Sequence, residues 1–388
     1  MTRSYGASGR VALMVAHCAG MVDLVGLPVW VGTLISKYGL DAQRAGLLAT
    51  LFLAGAVVSS LTLAPRLQRL PVRIVATGGF AIAAAAFGGV ASTQDFTVMA
   101  VLHAIAGLTA GAALSVTHGT IARSSRPHRL FAIVGMALSI FSILFLGTTR
   151  WFIASSGGEA LFVILAAVMA IATISSAIAF PRPDVEASAT NAAGRIEPDP
   201  IERPVWFGVA GVSGMALVQA MTFSFVERAG SDHGFGLQAV TAVLVSLGLA
   251  NLATASFAAL LEKRWNARTV LLVGPMVQAA LSAVIMNSGL FAAYAVATGF
   301  FSAVMIFCHT FSFGLLAQLD RSGRALAATP AMLMVGAAIG PILGGTLVKA
   351  SGYGVIAIAA LVIDCLAIAC FFMLPRRAVS ESRLSPQL

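Results

Sequence analysis

The chain has 388 residues, of which 59% are hydrophobic and 10% charged, with a net charge of +9 and a mean hydropathy of +0.92. A water-soluble domain carries roughly 25% charged residues, so a water-facing surface is excluded and lipid must be the solvent. The excess of positive charge is scattered over short segments and forms no single basic tract, which excludes nucleic acid as the partner.

In lipid every backbone polar group must be paired inside a helix or a closed barrel. The apolar runs are continuous, not alternating, and this selects helices. A helix crossing a hydrocarbon core of about 30 Å needs roughly 20 residues. Spans are predicted over 11–36, 45–64, 74–92, 96–122, 130–149, 159–180, 205–227, 237–261, 269–288, 290–318, 325–350 and 355–374. The first is too long for a cleavable signal and is read as a retained helix. Cys18, Cys308, Cys365 and Cys370 all lie in apolar runs without metal-site spacing, so neither a metal, a cofactor nor a disulfide is expected.

The basic residues sort by side. Nineteen of the 24 Lys and Arg fall at one end of the alternating spans, and only Lys37, Arg44, Arg150, Arg228 and Lys349 fall at the other. The side rich in Lys and Arg faces the cytoplasm, so both termini are predicted to be cytoplasmic. Of the 24 basic residues all but Lys37, Lys263 and Lys349 are Arg, and Ala is abundant. This composition points to a bacterium and a multi-pass protein of its inner (plasma) membrane.

Residues 181–204 hold five prolines and five acidic residues without apolar periodicity and read as a cytoplasmic linker. They divide the chain into residues 1–180 and 205–388, six spans each. A shift of 195 residues lays Tyr38-Gly39 on His233-Gly234, Gln43 on Gln238, and Arg69 and Arg73 on Arg264 and Arg268. The expected fold is an all-α integral membrane protein, with twelve transmembrane helices in two pseudo-symmetric six-helix bundles.

With six plus six spans, a central loop and basic loops after spans 2 and 8, the chain resembles the major facilitator superfamily of secondary transporters over nearly its whole length. The family motif after span 2, Gly-x-x-x-Asp-Arg-x-Gly-Arg-Arg, corresponds here to the stretch with Arg66, Arg69 and Arg73, where Pro65 stands near the expected Asp. The second copy, Glu262 to Arg268, keeps an acid. Many family antiporters carry Arg-x-x-x-Gly in span 4, and here His103 precedes Gly107. The Gly-x-x-x-Gly-Pro-x-x-Gly-Gly string of span 5 in drug/proton antiporters is absent there. It occurs instead in span 11, as Gly336, Gly340, Pro341, Gly344 and Gly345. The resemblance implies transport by alternating access, with spans 1, 4, 7 and 10 lining a central cavity and these basic and glycine motifs serving conformational change.

A charged side chain near the middle of a bilayer costs about 2.5–3.5 kcal/mol on insertion scales, so each needs a reason. Asp23, near the middle of span 1, is either a protonation switch or an acid paired with His17 or His103 that fixes packing. His103 on span 4 is a proton relay or anion contact, or else a neutral histidine bonded to a neighbouring helix. Thr298, Ser302, Met305, His309 and Ser312 share one face of span 10. Ser302 and His309 are solute contacts there, or the hydroxyls cement helices. Gln219 on span 7 is a solute contact. Glu227, near the outer end, is a rim group or a gate paired with Arg150, and Asp364 in span 12 is expected to be paired or protonated.

The function read from these residues is secondary active transport of a small organic solute, coupled to protons, in a monomer embedded in lipid. The span-1 acid and the Gly-Pro string point to export. His103 at the Arg position and the bare span 5 point to uptake. An uncoupled facilitator and a membrane sensor are the other classes.

Overall fold

The computed structural model describes residues 5–63, 66–67, 69–181, 203–261, 264–319 and 324–374. Most of the predicted linker, the tail beyond 374, and Pro65 and Glu262 lie outside the described residues. All regular structure among the described residues is helical. The elements are α1 (Ala7–Gly20), α2 (Val22–Ser36), α3 (Ala42–Leu63), α4 (Val72–Ala91), α5 (Phe96–Ala122), α6 (Pro127–Ser156) and α7 (Glu159–Ala179). They continue with α8 (Arg203–Asp232), α9 (Leu237–Leu261), α10 (Ala267–Asn287), α11 (Phe291–Leu319), α12 (Arg324–Ser351) and α13 (Gly354–Phe372). Eleven stretches of described helix are long and apolar enough to cross a membrane, with Leu237–Asn251 of α9 as a shorter apolar stretch.

Each predicted span overlaps these helices, although α6 and α8 run on to Ser156 and Asp232, past the predicted ends at 149 and 227. The first span is two helices, because the backbone breaks at Met21 (φ −106°, ψ 20°). Pro28 lies inside α2. It cannot donate to the carbonyl one turn back, at Leu24. The chain around Asp23 therefore has loosened backbone bonding on both sides.

The internal repeat is written into the backbone. Gly39 and Gly234 both take positive φ (65° and 82°), as do Gly157 and Gly352 (97° and 77°), and each pair is related by the 195-residue shift. Only glycine adopts that conformation without a Cβ penalty. Arg73 donates to the carbonyls of Ala177 and Ile178 at the end of α7, and Arg268 donates to those of Phe372 and Leu374 at the end of α13. Arg73 and Arg268, and Ala177 and Phe372, are equivalent positions of the repeat. A guanidinium there satisfies helix-terminal carbonyls that have no partner within the helix.

Within the first half of the chain, α3 and α4 pack on α5, and α4 packs on α7. In the second, α8 packs on α12 and α13, α10 on α13 and α11, and α11 on α9. Across the halves, α12 packs on α3, α6 on α9 and α2 on α8. Small residues make these approaches possible. A Cβ on Gly336 would strike the backbone of Ser213, and one on Gly340 would lie 2.7 Å from the Met221 nitrogen. On the other side of α12, Gly46 meets the Pro341 carbonyl and Gly345 meets that of Ala42. The Gly-Pro string is thus a two-sided contact ridge, facing α8 at every fourth residue and α3 in between.

Candidate functional site

The burial of the two central helices changes abruptly along their length. From Val25 to Leu34 every residue of α2 is buried, and from Ala220 to Glu227 every residue of α8 is buried. Towards the predicted cytoplasmic end both open. On α1 and the start of α2, Val11, Met14, Val15, Cys18, Met21 and Leu24 form a partly or fully exposed stripe, left uncovered by α5, α6 and α7. On α8, Phe207, Ala210 and Leu217 are likewise partly or fully exposed. A hollow between the halves is therefore closed at the predicted outer end.

Asp23 and Gln219 sit where the hollow stops. Asp23 is two residues before the buried run of α2, Gln219 is one residue before that of α8, and both are half-buried. Asp23 occupies the first turn of α2, with its carboxylate beside the backbone N–H groups of residues 23 and 24. The break at Met21 creates that helix start and its unclaimed donors. This is how an acid is housed in the middle of an apolar span. Gln219 donates to the Ser302 hydroxyl (3.1 Å) and its carbonyl accepts from Gln278 (3.3 Å). Gln278, the one amide in the middle of α10, was not singled out from the sequence although its isolation in an apolar run is a readable signal.

Neither histidine considered as a partner for Asp23 is bonded to it. His17 pairs with His118, Nδ1 to Nε2 at 3.0 Å. His103 is fully buried among Trp30, Phe87 and Phe162. The indole N–H of Trp30 donates to its Nε2 (3.1 Å), and its Nδ1 lies 2.7 Å from the Met99 carbonyl. An indole only donates and a carbonyl only accepts, so the ring is neutral with its proton on Nδ1. It braces α5 against α2, away from the hollow. His309 is half-buried against Phe313, and its Nε2 has no partner among the described residues, whereas Thr298, Ser302 and Ser312 of the same stripe are buried.

The closed end is held by polar contacts across the halves. Glu227 forms an ion pair with Arg150, buried on both sides, and lies against Gly32, where any Cβ would come within 2.6 Å of its Oε1. Thr50 donates to the Ala338 carbonyl (2.8 Å) and accepts from the Ile342 N–H (3.1 Å). At the rim Lys349 bridges Asp41 (3.0 Å) and Gln43 (3.2 Å), and Gln43 reaches Thr346. Of the basic motif, Arg73 is the helix-end donor described above, Arg66 caps its own helix through the Thr62 carbonyl (2.7 Å), and Arg69 is exposed. At the opposite end a cavity of about 540 Å³ is lined by Tyr5, Arg10, Ser124, Arg126 and Arg129. Arg10 is thirteen residues from Asp23, about 20 Å along a helix axis, so this cationic recess is a separate feature from the hollow's closed end.

A family description, Major Facilitator Superfamily, matches residues 12–286 and again 228–387. The chain belongs to the Major Facilitator Superfamily. It is accordingly a multi-pass membrane transporter and not an enzyme. Among solved structures, a point mutant of the nucleoside transporter NupG superimposes with a TM-score of 0.71 at 14% identity, over 94% of this chain and 98% of that one. A bacterial homologue of the human lysosomal transporter Spinster, in an inward-facing and occupied conformation, gives 0.68 at 12% identity, over 94% and 93%. At such identities the likeness is one of fold. No curated protein matched the sequence.

Proposed function

We propose that this superfamily member moves a small organic solute across a bacterial inner membrane by alternating access, coupled to protons and directed outward. Two six-helix bundles, residues 1–180 and 205–388, rock about the hollow. The observation that carries this reading is the shared depth of Asp23 and Gln219 at the blind end of a space open only at the other end. With both termini in the cytoplasm, the conformation is open inward and closed outward.

The stripes of Val, Met, Phe and Leu favour a solute with an apolar body. Gln219, Ser302 and His309 supply a few hydrogen-bonding groups, the usual composition of a small-molecule site. Asp23 takes a proton when the hollow faces one side and releases it to the other. Its competition with the solute links the two movements. His103 acts here as a positioning residue that holds the α2 wall through Trp30. Arg150–Glu227 and the α3–α12 ridge form the outer gate. The span-1 acid and the Gly-Pro string support export.

The test is flux in proteoliposomes with an imposed pH gradient, screened over apolar organic solutes. Asp23→Asn is expected to abolish gradient-driven accumulation while leaving downhill exchange of solute. Accumulation that survives this substitution, or proceeds equally without a gradient, would show that the site does not couple protons.

A further inference from the structure

Away from the hollow, one titratable group is used by nothing described above. Asp364 lies midway along α13, is 1% exposed, and neither carboxylate oxygen has a hydrogen-bond partner among the described residues. Ile356, Ala360, Asp364, Ala367 and Phe371 make up the buried stripe of α13. Their spacing of four, four, three and four is that of a core face, so the acid points into the protein and away from lipid. Its turn packs on Gly214 of α8, where a Cβ would lie 3.6 Å from Ile363 and 3.8 Å from Ala367.

The next residue of α8 links this turn to the hollow. The Met215 carbonyl accepts from Gln278 (3.1 Å), whose own carbonyl oxygen has no partner among the described residues. Gln278 also donates to Gln219, which sits at the closed end of the hollow. A chain of polar contacts thus runs from the closed end of the hollow to the Met215 carbonyl, and no hydrogen bond joins it to Asp364.

No cation faces Asp364 among the described residues. On α8, Glu227 is bound to Arg150 and Arg228 to Asp232, both at the far end. On α10, Arg268 caps the end of α13, and on α12 Lys349 is bound to Asp41. Cys308 of α11, packed in the same cluster as Met215 and Ala367, is the titratable neighbour. An ionised carboxylate without a partner in such surroundings is too costly to persist. Asp364 therefore stands as a neutral acid.

We propose that Asp364 is a second proton-binding site of the transport cycle, filled in the outward-closed state and exchanged with water of the hollow when the halves reorient. The proton comes from water in the hollow, forms an O–H bond on the carboxylate, and returns to water when the halves reorient. This rests on the transporter reading, but its test needs no solute.

The experiment is infrared difference spectroscopy of the reconstituted full chain at neutral pH. The wild type is expected to show a protonated-carboxyl stretch that disappears in Asp364→Asn and returns, shifted, in Asp364→Glu. The measurement is repeated in whichever of Arg150→Ala and Gly46→Leu lowers disulfide cross-linking of a Gln43→Cys/Thr346→Cys pair, the sign that the outer end has opened. There the band should fall at least twofold. A band absent from the wild type, or unchanged by Asp364→Asn, overturns the proposal. So does one equally strong with the outer end closed and open, which would make the proton a permanent structural one. An intact, state-dependent band in a protein that moves no solute would overturn the transport reading alone.

Discussion

At the residue scale, the chemistry of the site depends on which polar groups already have partners. His103 is the plainest case. Both ring nitrogens are engaged, one with a pure donor and one with a pure acceptor, so nothing is left to carry a proton elsewhere. Trp30→Phe keeps the ring but removes the donor to Nε2, and a buried acceptor left unmatched costs about 1–3 kcal/mol. The expected result is a lower thermal unfolding midpoint in detergent. Flux per folded molecule should change less than with Asp23→Asn. Asp23 differs because its setting is local. The break at Met21 supplies backbone donors from its own helix start, so no second helix has to provide a cation. The sequence showed an acid in an apolar span with Pro28 nearby, but the break itself has no sequence marker, since Gly20-Met21 also reads as uninterrupted helix.

At the element scale, α12 is the piece on which closure depends. Its glycines at positions 336, 340 and 344 face α8, and Pro341 and Gly345 face α3. The string was legible as a motif for conformational change. That it serves two helices at once, one in each half of the chain, follows only from packing. Its counterpart on α3, Gly46, drew no attention in the sequence because a lone glycine in an apolar helix has many explanations. Gly46→Leu has no room, since the obstructing atoms are backbone. This variant is expected to lose the close α3–α12 approach, and cross-linking of the Gln43→Cys/Thr346→Cys pair should fall severalfold. A substitution to Leu at Gly78, whose Cβ position is unobstructed, should leave cross-linking at the wild-type level.

At the scale of the whole molecule, the predicted outer end is held by one strong and one weak electrostatic contact. Arg150 and Glu227 are buried and belong to different halves. Removing one member of such a pair costs about 3–5 kcal/mol, because the other charge is left buried alone. That cost falls on the closed state. Arg150→Ala should therefore shift the balance towards outer opening by about a hundredfold or more, seen as longer distances between spin labels at Gln43 and Thr346. Asp41 and Lys349 are substantially exposed, and such a pair contributes about 0–1 kcal/mol. The Arg44 backbone N–H, and after it Lys349, hold the Asp41 carboxyl below its usual range. A lowered value means the contribution is present above about pH 4 and fades as pH falls through the lowered value. Closure should therefore gain nothing from this latch in strong acid. In Asp41→Asn the same labels should report no acid-dependent loosening from the rim.

The sequence by itself determined the apolar spans that the helices match, the expected sidedness, the duplication and the intramembrane acid. Each is a local quantity: apolar length against bilayer thickness, counts of basic residues, and backbone positions such as Gly39 and Gly234 that only glycine tolerates. It also put Arg150 within reach of Glu227, because both lie near the same predicted surface. Only the tertiary structure decided which polar groups meet. Spacing along one helix does not say which face turns to a neighbour, so Trp30 beside His103, Gln278 beside Gln219 and the unpartnered oxygens of Asp364 required the packed helices. The asymmetry of the hollow is likewise a property of two halves in contact, since the same helices tilted the other way would bury the opposite ends of α1 and α8.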